Sequence, residues 1–574
     1  MIRSIGKYIG AAAIMMSIVE LTSAGARAQG RHGGPRDWSH RHLVAARSGP
    51  DGDRNIGRNW RTYLKQSQID AARASRDPFQ DWLDTFLNRE RKPQPAANAP
   101  HLDWNLRTGG IGSVVGYPAK DSFDVSTSNC SDVIYFTVDQ PGSSSAVNVI
   151  AITNPYATCP GNLGGATPTV KFGLRLGTGT ATSPVLSLDG KVLYVFESIT
   201  NGLVLHAINV DNITTTPGTY TFPSGPWTST HTLKTSPIGT PTSEQLFQIT
   251  FSNVTNNLAS PFLDYDNNQI YFGDSAGRIR RVNNVDKASA AADASFPVTC
   301  GASQLKSPVV WNDQVIASSA DGKLYRIDTT TGAPYTCIGS QQGGAGTGGG
   351  VGGGLSTPTV DVTNNQVIVG TNNVAGAGTR AYGAFALNFA SGDAPTSYIL
   401  YGTSTTTIAP VEPAFDDQFW TTNSGYLYAS GTNAANTNTY LLRIPYNGTI
   451  SSTIAGSAAL HHSSTNAVVA TSPVTEFLTS AASNPDYIFI GGAGTTSNYR
   501  FMNRISAGFA GTDASPSAMT NFFSPVGAMG ISSGIIIDTR TAAMSGSTAT
   551  ANIYFGTAGT TGTFSTIVQL AQGF

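Results

Sequence analysis

The feature that most constrains this chain is a short stretch that recurs along it. Ser307 to Asp328 reads SPVVWNDQVIASSADGKLYRID. Pro308 opens an apolar run, and proline is tolerated at the first residue of a strand, where its missing N–H is least needed. Asn312-Asp313 supplies a turn, since both side chains can bond nearby backbone. Gln314 to Ala317 forms a second strand. Ala320-Asp321-Gly322 is a hairpin turn in which Gly322 takes a positive φ without steric cost. Leu324, Tyr325 and Ile327 then lie on a third strand.

The same order returns after Ser183-Pro184, Ser260-Pro261, Thr357-Pro358, Ala409-Pro410, Ser472-Pro473 and Ser533-Gly534, with a diverged first copy at Ser122-Phe123. The anchors fall at 123, 184, 261, 308, 358, 410, 473 and 534. A fourth, outer strand precedes several of them: VKFGLRLG before Ser183, LFQITF before Ser260, SYILYG before Ala409. Repeats of roughly 40–50 residues with several strands each are the signature of β-propeller blades. A single blade cannot bury both faces, so the ring must close. The last copy ends at Phe574 with no room for its own outer strand, and Leu102 to Arg107 can supply it from the other end of the chain. The expected fold is all-β: an eight-bladed propeller over residues 101–574, with seven blades as the alternative, closed by an N-terminal strand.

Composition agrees with a turn-rich all-β chain. Charged residues are 12% of the sequence, against a usual ~25%. Met1 to Ala28 reads as a signal peptide: Arg3 and Lys7 lead an apolar stretch from Ile9 to Val19, and Ala26-Arg27-Ala28 is an A-x-A cleavage site. That stretch is too short to span a bilayer, and no later segment suffices. A secreted protein, periplasmic or extracellular, with no transmembrane segment is expected. Residues 29–100 differ from the rest. They carry 13 Lys/Arg and 8 Asp/Glu, a net +5, which leaves −8 on residues 101–574. A basic arm beside an acidic ring can dock on it or reach an acidic partner; a solvated linker is the plainer reading. Two helices are expected in this arm, over Asn59 to Ala74 and from Asp77-Pro78 onward, before the proline-rich linker at Arg91 to Pro100.

Export permits disulfides. Cys130 lies between the first and second strands of its copy and Cys159 between the third and fourth, on one side of an antiparallel blade, so this pair is favoured. Cys300 and Cys337 occupy matching outer positions on successive blades and meet only if a loop folds back, since a bridge needs Cα atoms within ~7 Å.

Candidate chemistry is sparse. His461-His462 and Glu412 are the candidates for the central funnel, with Asp416 and Asp417 near Glu412. Adjacent residues on a strand point opposite ways, which weakens a two-ligand reading of the histidine pair. His32, His40 and His42 lack a partner with convincing metal-ligand spacing. Asp264 to Asn268 (DYDNN) has the look of a calcium loop, but WND and DVTNN stand at the equivalent turns, so turn chemistry is preferred and calcium is the alternative. Gly343 to Gly354 contains G-x-G-x-x-G but runs into a strand, with no helix behind it to cradle phosphate. It is read as an inter-blade loop. No G-x-S-x-G, H-E-x-x-H or C-x-x-C-H motif occurs.

The pattern S-P-V-V … D-G-K-L-Y-x-I-D-x-x-T-G at Ser307 to Gly332, and next Ser183 to Asp211, resembles the pyrroloquinoline-quinone-type propeller repeat. The resemblance implies an eight-bladed fold like that of the quinoprotein alcohol dehydrogenases. Those enzymes carry an adjacent cysteine pair over the cofactor and recurrent tryptophan motifs; neither is present here. The chain also looks like uncharacterised secreted bacterial propellers, most clearly at Tyr117 to Val125 (YPAKDSFDV). The expectation is a non-enzymatic binding or scaffold module with no cofactor, a monomer whose partner is a protein or a surface glycan and not a nucleic acid. A quinone-dependent oxidoreductase or a glycan-acting hydrolase or lyase is the alternative. A funnel lined with converging carboxylates, His or Arg would favour the enzyme.

Overall fold

A computed structural model describes Leu43–Val44 and, with gaps at several loops, residues 101–573; residues 1–42 and 45–100 lie outside it. Eight sheets of four or five strands follow one another through the described residues, with antiparallel pairing inside each four-stranded unit. The fourth sheet shows the plan: Val309–Trp311, Gln314–Ser318, Leu324–Asp328 and Cys337–Gly339, in that order across the sheet. Its turns follow from the sequence. Asn312 and Asp313 both take positive φ (48° and 59°), and Gly322 sits at 89°, the geometry of tight hairpins.

The sheets are arranged as a ring. The short first strands of successive sheets pack on one another: Phe262–Asp264 on Val309–Trp311, and Val309–Trp311 on Thr359–Asp361. These strands therefore line the axis. The eighth sheet, Ile536–Arg540, Thr550–Ala558 and Thr566–Gly573, packs against Ser113–Lys120 of the first. His101–Arg107 adds to Thr566–Gly573 as its outer strand, with Leu106 opposite Ile567 and Trp104 opposite Gln569. The last sheet thus contains the first strand of the ring, the expected closure.

The core is divided among the seams between sheets. Tyr135, Phe172 and Leu174 of the first sheet pack with Leu193, Val195 and Ile208 of the second. Phe196 and Leu205 of the second pack with Ile270, Phe272 and Val282 of the third. Ile316 and Leu324 of the fourth pack with Val360, Val367 and Val369 of the fifth. Alternate residues on each strand serve opposite seams, so every sheet depends on both neighbours.

Two anchors differ from their expected positions. The inner strand of the first sheet is Ser113–Lys120, with Ala119 opposite Tyr135, so its anchor is Tyr117-Pro118. The sixth sheet begins at Ala414–Phe415, with Ala414 opposite Tyr428, so its anchor is Glu412-Pro413. In the eighth sheet the proline is replaced by Gly534. A Cβ there would lie 1.8 Å from the Tyr117 ring, so the close approach of first and last sheets requires glycine.

Cys300 and Cys337 are disulfide-bonded, with Cα atoms 4.9 Å apart. Their positions do not match as expected. Cys337 opens the outer strand of the fourth sheet, whereas Cys300 follows Val298–Thr299, where the third sheet's outer edge has ended and the chain is leaving toward the next sheet. The Cys130–Cys159 pairing, the His461-His462 pair and the two expected helices lie outside the described residues. Among the described residues no helix is long and apolar enough to cross a membrane.

Candidate functional site: the rim of the central channel

With the anchors placed, eight equivalent positions precede the first residue of the inner turn. They are Tyr117, Ser183, Ser260, Ser307, Thr357, Glu412, Ser472 and Ser533. Six are hydroxyl residues of small size, and they sit where the chain enters each inner strand, at one rim of the channel. Several of these hydroxyls are committed to backbone. Ser183 Oγ accepts from Tyr117 N at 3.0 Å, tying first sheet to second, and Ser307 Oγ accepts from Ser260 N at 2.7 Å, tying third to fourth. Ser472 Oγ and Ser533 Oγ accept from Gly491 N and Gly556 N in their own second strands, at 2.9 and 2.6 Å. Gly534 N donates to Gly116 O at 2.8 Å across the closing seam. The serine of the anchor is therefore a capping group that satisfies an inward-facing N–H.

Two charges interrupt this ring. Glu412 takes the place of the hydroxyl in the sixth sheet. Lys306, one residue before Ser307, is fixed by its own backbone N–H, which donates to Ser318 O at 2.8 Å. Burial pushes the Lys306 ammonium below its ordinary value, and the Glu412 carboxylate pulls it partly back. The two residues belong to the fourth and sixth sheets. Lys306 retains some solvent contact even though protein crowds it, as a channel wall requires. Glu412 is half-buried. Asp416, by contrast, is structural: it is buried, and its Oδ1 accepts from Phe419 N at 2.8 Å.

Turn chemistry accounts for the calcium-like segment. Asp264 Oδ1 accepts from Asn267 N at 3.2 Å, and Asp264 Oδ2 accepts from Asn267 Nδ2 at 2.8 Å. Asp361 makes the corresponding bonds to Thr363 N, Asn364 N and Asn364 Nδ2. Among the described residues no three His, Cys, Asp or Glu side chains converge as a metal site would require.

Sequence reasoning passed over several polar centres, of which two bear on the ring's seams. Glu197 and His206, on neighbouring strands of the second sheet, meet at 3.0 Å, and Glu197 also accepts from Gly179 N at 2.7 Å. The available signal was a carboxylate and an imidazole inside the apolar runs VLYVFES and GLVLHAINV. At the outer edge, Arg281 bonds Asp293 at 2.6 Å and lies 4.4 Å over the Phe296 ring. Phe296 stacks on Tyr335 of the fourth sheet. Beside them a groove of 460 Å³ is lined by Ser295, Pro297, Val298, Thr299, Tyr335, Thr336 and Cys337. It adjoins the disulfide and holds no titratable group other than the tyrosine.

No family model matches the chain, and no curated protein matches it in sequence. Similar solved structures include Sqt1 from Chaetomium thermophilum bound to the N-terminus of the ribosomal protein L10. It is 11% identical, with 82% of this chain and 99% of that chain covered, at a TM-score of 0.48. Sqt1 from Saccharomyces cerevisiae is 11% identical, with 83% and 99% covered and a TM-score of 0.46. The Dos1 propeller is 9% identical, with 82% and 95% covered and a TM-score of 0.47. The present chain is a β-propeller on its own sheet order and closure.

Proposed function

We propose that this is an exported, non-enzymatic propeller of eight blades that binds a protein partner at the rim of its central channel. The observation that carries the reading is the state of the rim. Four of its serines, Ser183, Ser307, Ser472 and Ser533, accept from backbone N–H groups, and among the described residues Lys306 and Glu412 place a charge of each sign near it. Acid–base or nucleophilic catalysis needs a reactive group within hydrogen-bond reach of a second one that activates it; a hydroxyl already acting as an acceptor for an N–H in a fixed turn offers little of that. A rim of small polar groups with one charge of each sign instead suits recognition, in which a few polar contacts fix orientation. The export signal and the pyrroloquinoline-quinone-type repeat pattern support placement outside the cytoplasm and the blade number.

The test is cross-linking of the purified mature chain in the envelope and culture fractions of its own host, followed by repetition with Lys306→Ala/Glu412→Ala. Wild-type chain should capture a defined partner that the double variant loses while keeping its melting temperature. Retention of that same partner by the double variant would overturn the rim as the site. A separate measurement addresses the enzyme alternative: pyrroloquinoline quinone with calcium should leave the melting temperature unchanged, and a rise would transfer the reading to a quinoprotein.

A further inference from the structure

Leu43–Val44 pair in parallel with Val360–Asp361, Leu43 opposite Val360 and Val44 opposite Asp361. Thr359–Asp361 is the inner strand of the fifth sheet, and its other edge is already paired with Gln366–Val374. The added strand therefore lies on the edge that faces the axis. Among the described residues, the inner strand is the end of the sheet in each of the other seven. One inner edge out of eight is thus extended, and the extension comes from the arm that precedes the ring.

We infer that the segment at Leu43–Val44 is an internal ligand of the central channel, held by strand addition to Thr359–Asp361. An exposed edge strand presents unpaired N–H and C=O groups and accepts an extended segment through main-chain bonds. Connectivity allows it. Residues 45–100 number 56, a reach of up to ~180 Å when extended at ~3.3 Å per residue. That is ample to lead from the axis to the outer edge, where His101–Arg107 closes the ring. Charge favours it too: the arm is net +5 and the ring net −8, so attraction raises the local concentration of arm at the ring. Parallel pairing sets the direction. Leu43–Val44 run in the same direction as Val360–Asp361, away from the rim at which the inner strand begins. Tethering makes the contact intramolecular, so a short pairing holds without high intrinsic affinity. The arm's docking does not depend on the rim binding a partner, but it sets the condition any axial partner meets: the fifth inner edge is already taken.

The experiment uses the full mature chain and a full-length Leu43→Pro/Val44→Pro variant, which removes the donors of the added strand and leaves every strand of the ring intact. Amide hydrogen exchange across residues 41–46 should be slowed at least tenfold relative to the free peptide in the wild type, and in the variant the remaining amides at 41, 42, 45 and 46 should reach the free-peptide rate. A dye-labelled peptide of residues 38–48 should bind the variant saturably and should not bind the wild type, whose fifth inner edge is occupied. Free-peptide exchange in the wild type would overturn the inference. So would equal peptide binding to both chains, or binding to neither while the variant keeps the wild-type melting temperature.

Discussion

Two buried carboxylates at two seams of the same ring are bent in opposite directions. Glu197 lies between the first and second sheets and Asp361 between the fifth and sixth, and both are nearly inaccessible, at 4% and 0% exposure. Burial alone would push Glu197 up. The His206 hydrogen bond, the Gly179 N–H and the fields of His206 and Arg175 outweigh it and hold the carboxyl below its usual range. Burial also pushes Asp361 up, and there it wins. The bonds to Asp361 come from Tyr446, Asn364 and the backbone N–H groups of Thr363 and Asn364, all neutral donors. At Glu197 the field of Arg175 adds to the hydrogen bonds from His206 and Gly179, whereas the donors to Asp361 are all neutral. Equivalent seams of a repeat fold can therefore respond oppositely to pH.

The seam between the third and fourth sheets uses neither device and sets the upper end of the scale. Cys300→Ser/Cys337→Ser should cost about 4 kcal/mol, from the chain-entropy value for a loop of this length, with the separation being 37 residues. Urea midpoints read it, and a cost near zero would show that the strands alone hold that edge. His206→Leu should cost about 3 kcal/mol, as for a buried pair deprived of one partner, and should move Glu197 above the ordinary carboxylate range. Carbonyl NMR of Glu197 would follow that move. Tyr446→Phe should cost about 1–2 kcal/mol by removing one donor to a buried acceptor, and should raise Asp361 further.

The smallest and most discriminating effect is the pH profile. Glu197 has a folded value below its unfolded one, so its stabilisation is complete above ~4.3 and fades as pH falls through the lowered value. Asp361 has a folded value above its unfolded one. Its burden is present when it is ionised and is relieved as pH falls through the raised value. The stability advantage of wild type over Glu197→Gln should shrink on acidification from pH 7 to 3. The difference between wild type and Asp361→Asn should shift the other way. Parallel profiles would break the comparison.

What the sequence made legible is local. Asn312, Asp313 and Gly322 predict their turns because positive φ is a property of those residue types in that order. The closing strand at Leu102 to Arg107 was visible because the final copy lacked an outer strand. The sixth anchor was misplaced because two X-Pro steps, Ala409-Pro410 and Glu412-Pro413, stand three residues apart and only pairing with Tyr428 decides between them. The first anchor was hidden because Tyr117 replaces the usual hydroxyl. Glu412 was a funnel candidate from its acidic neighbours, whereas Lys306, 106 residues earlier, has nothing local that marks it. The Cys300–Cys337 bridge was expected only as the less favoured pair because the two positions were equated, although one ends an outer edge and the other begins one.

The ring is joined end to end by its first strand. Antiparallel partners lie with Cα atoms ~4.5–5.5 Å apart, within the span of a disulfide, and Asn105 is opposite Val568. Asn105→Cys/Val568→Cys, oxidised at low protein concentration, should give one additional intramolecular bridge by intact mass and peptide mapping, with the chain still monomeric on sizing. A product containing only free thiols at these positions, or only bridges between separate chains, would contradict the closed ring.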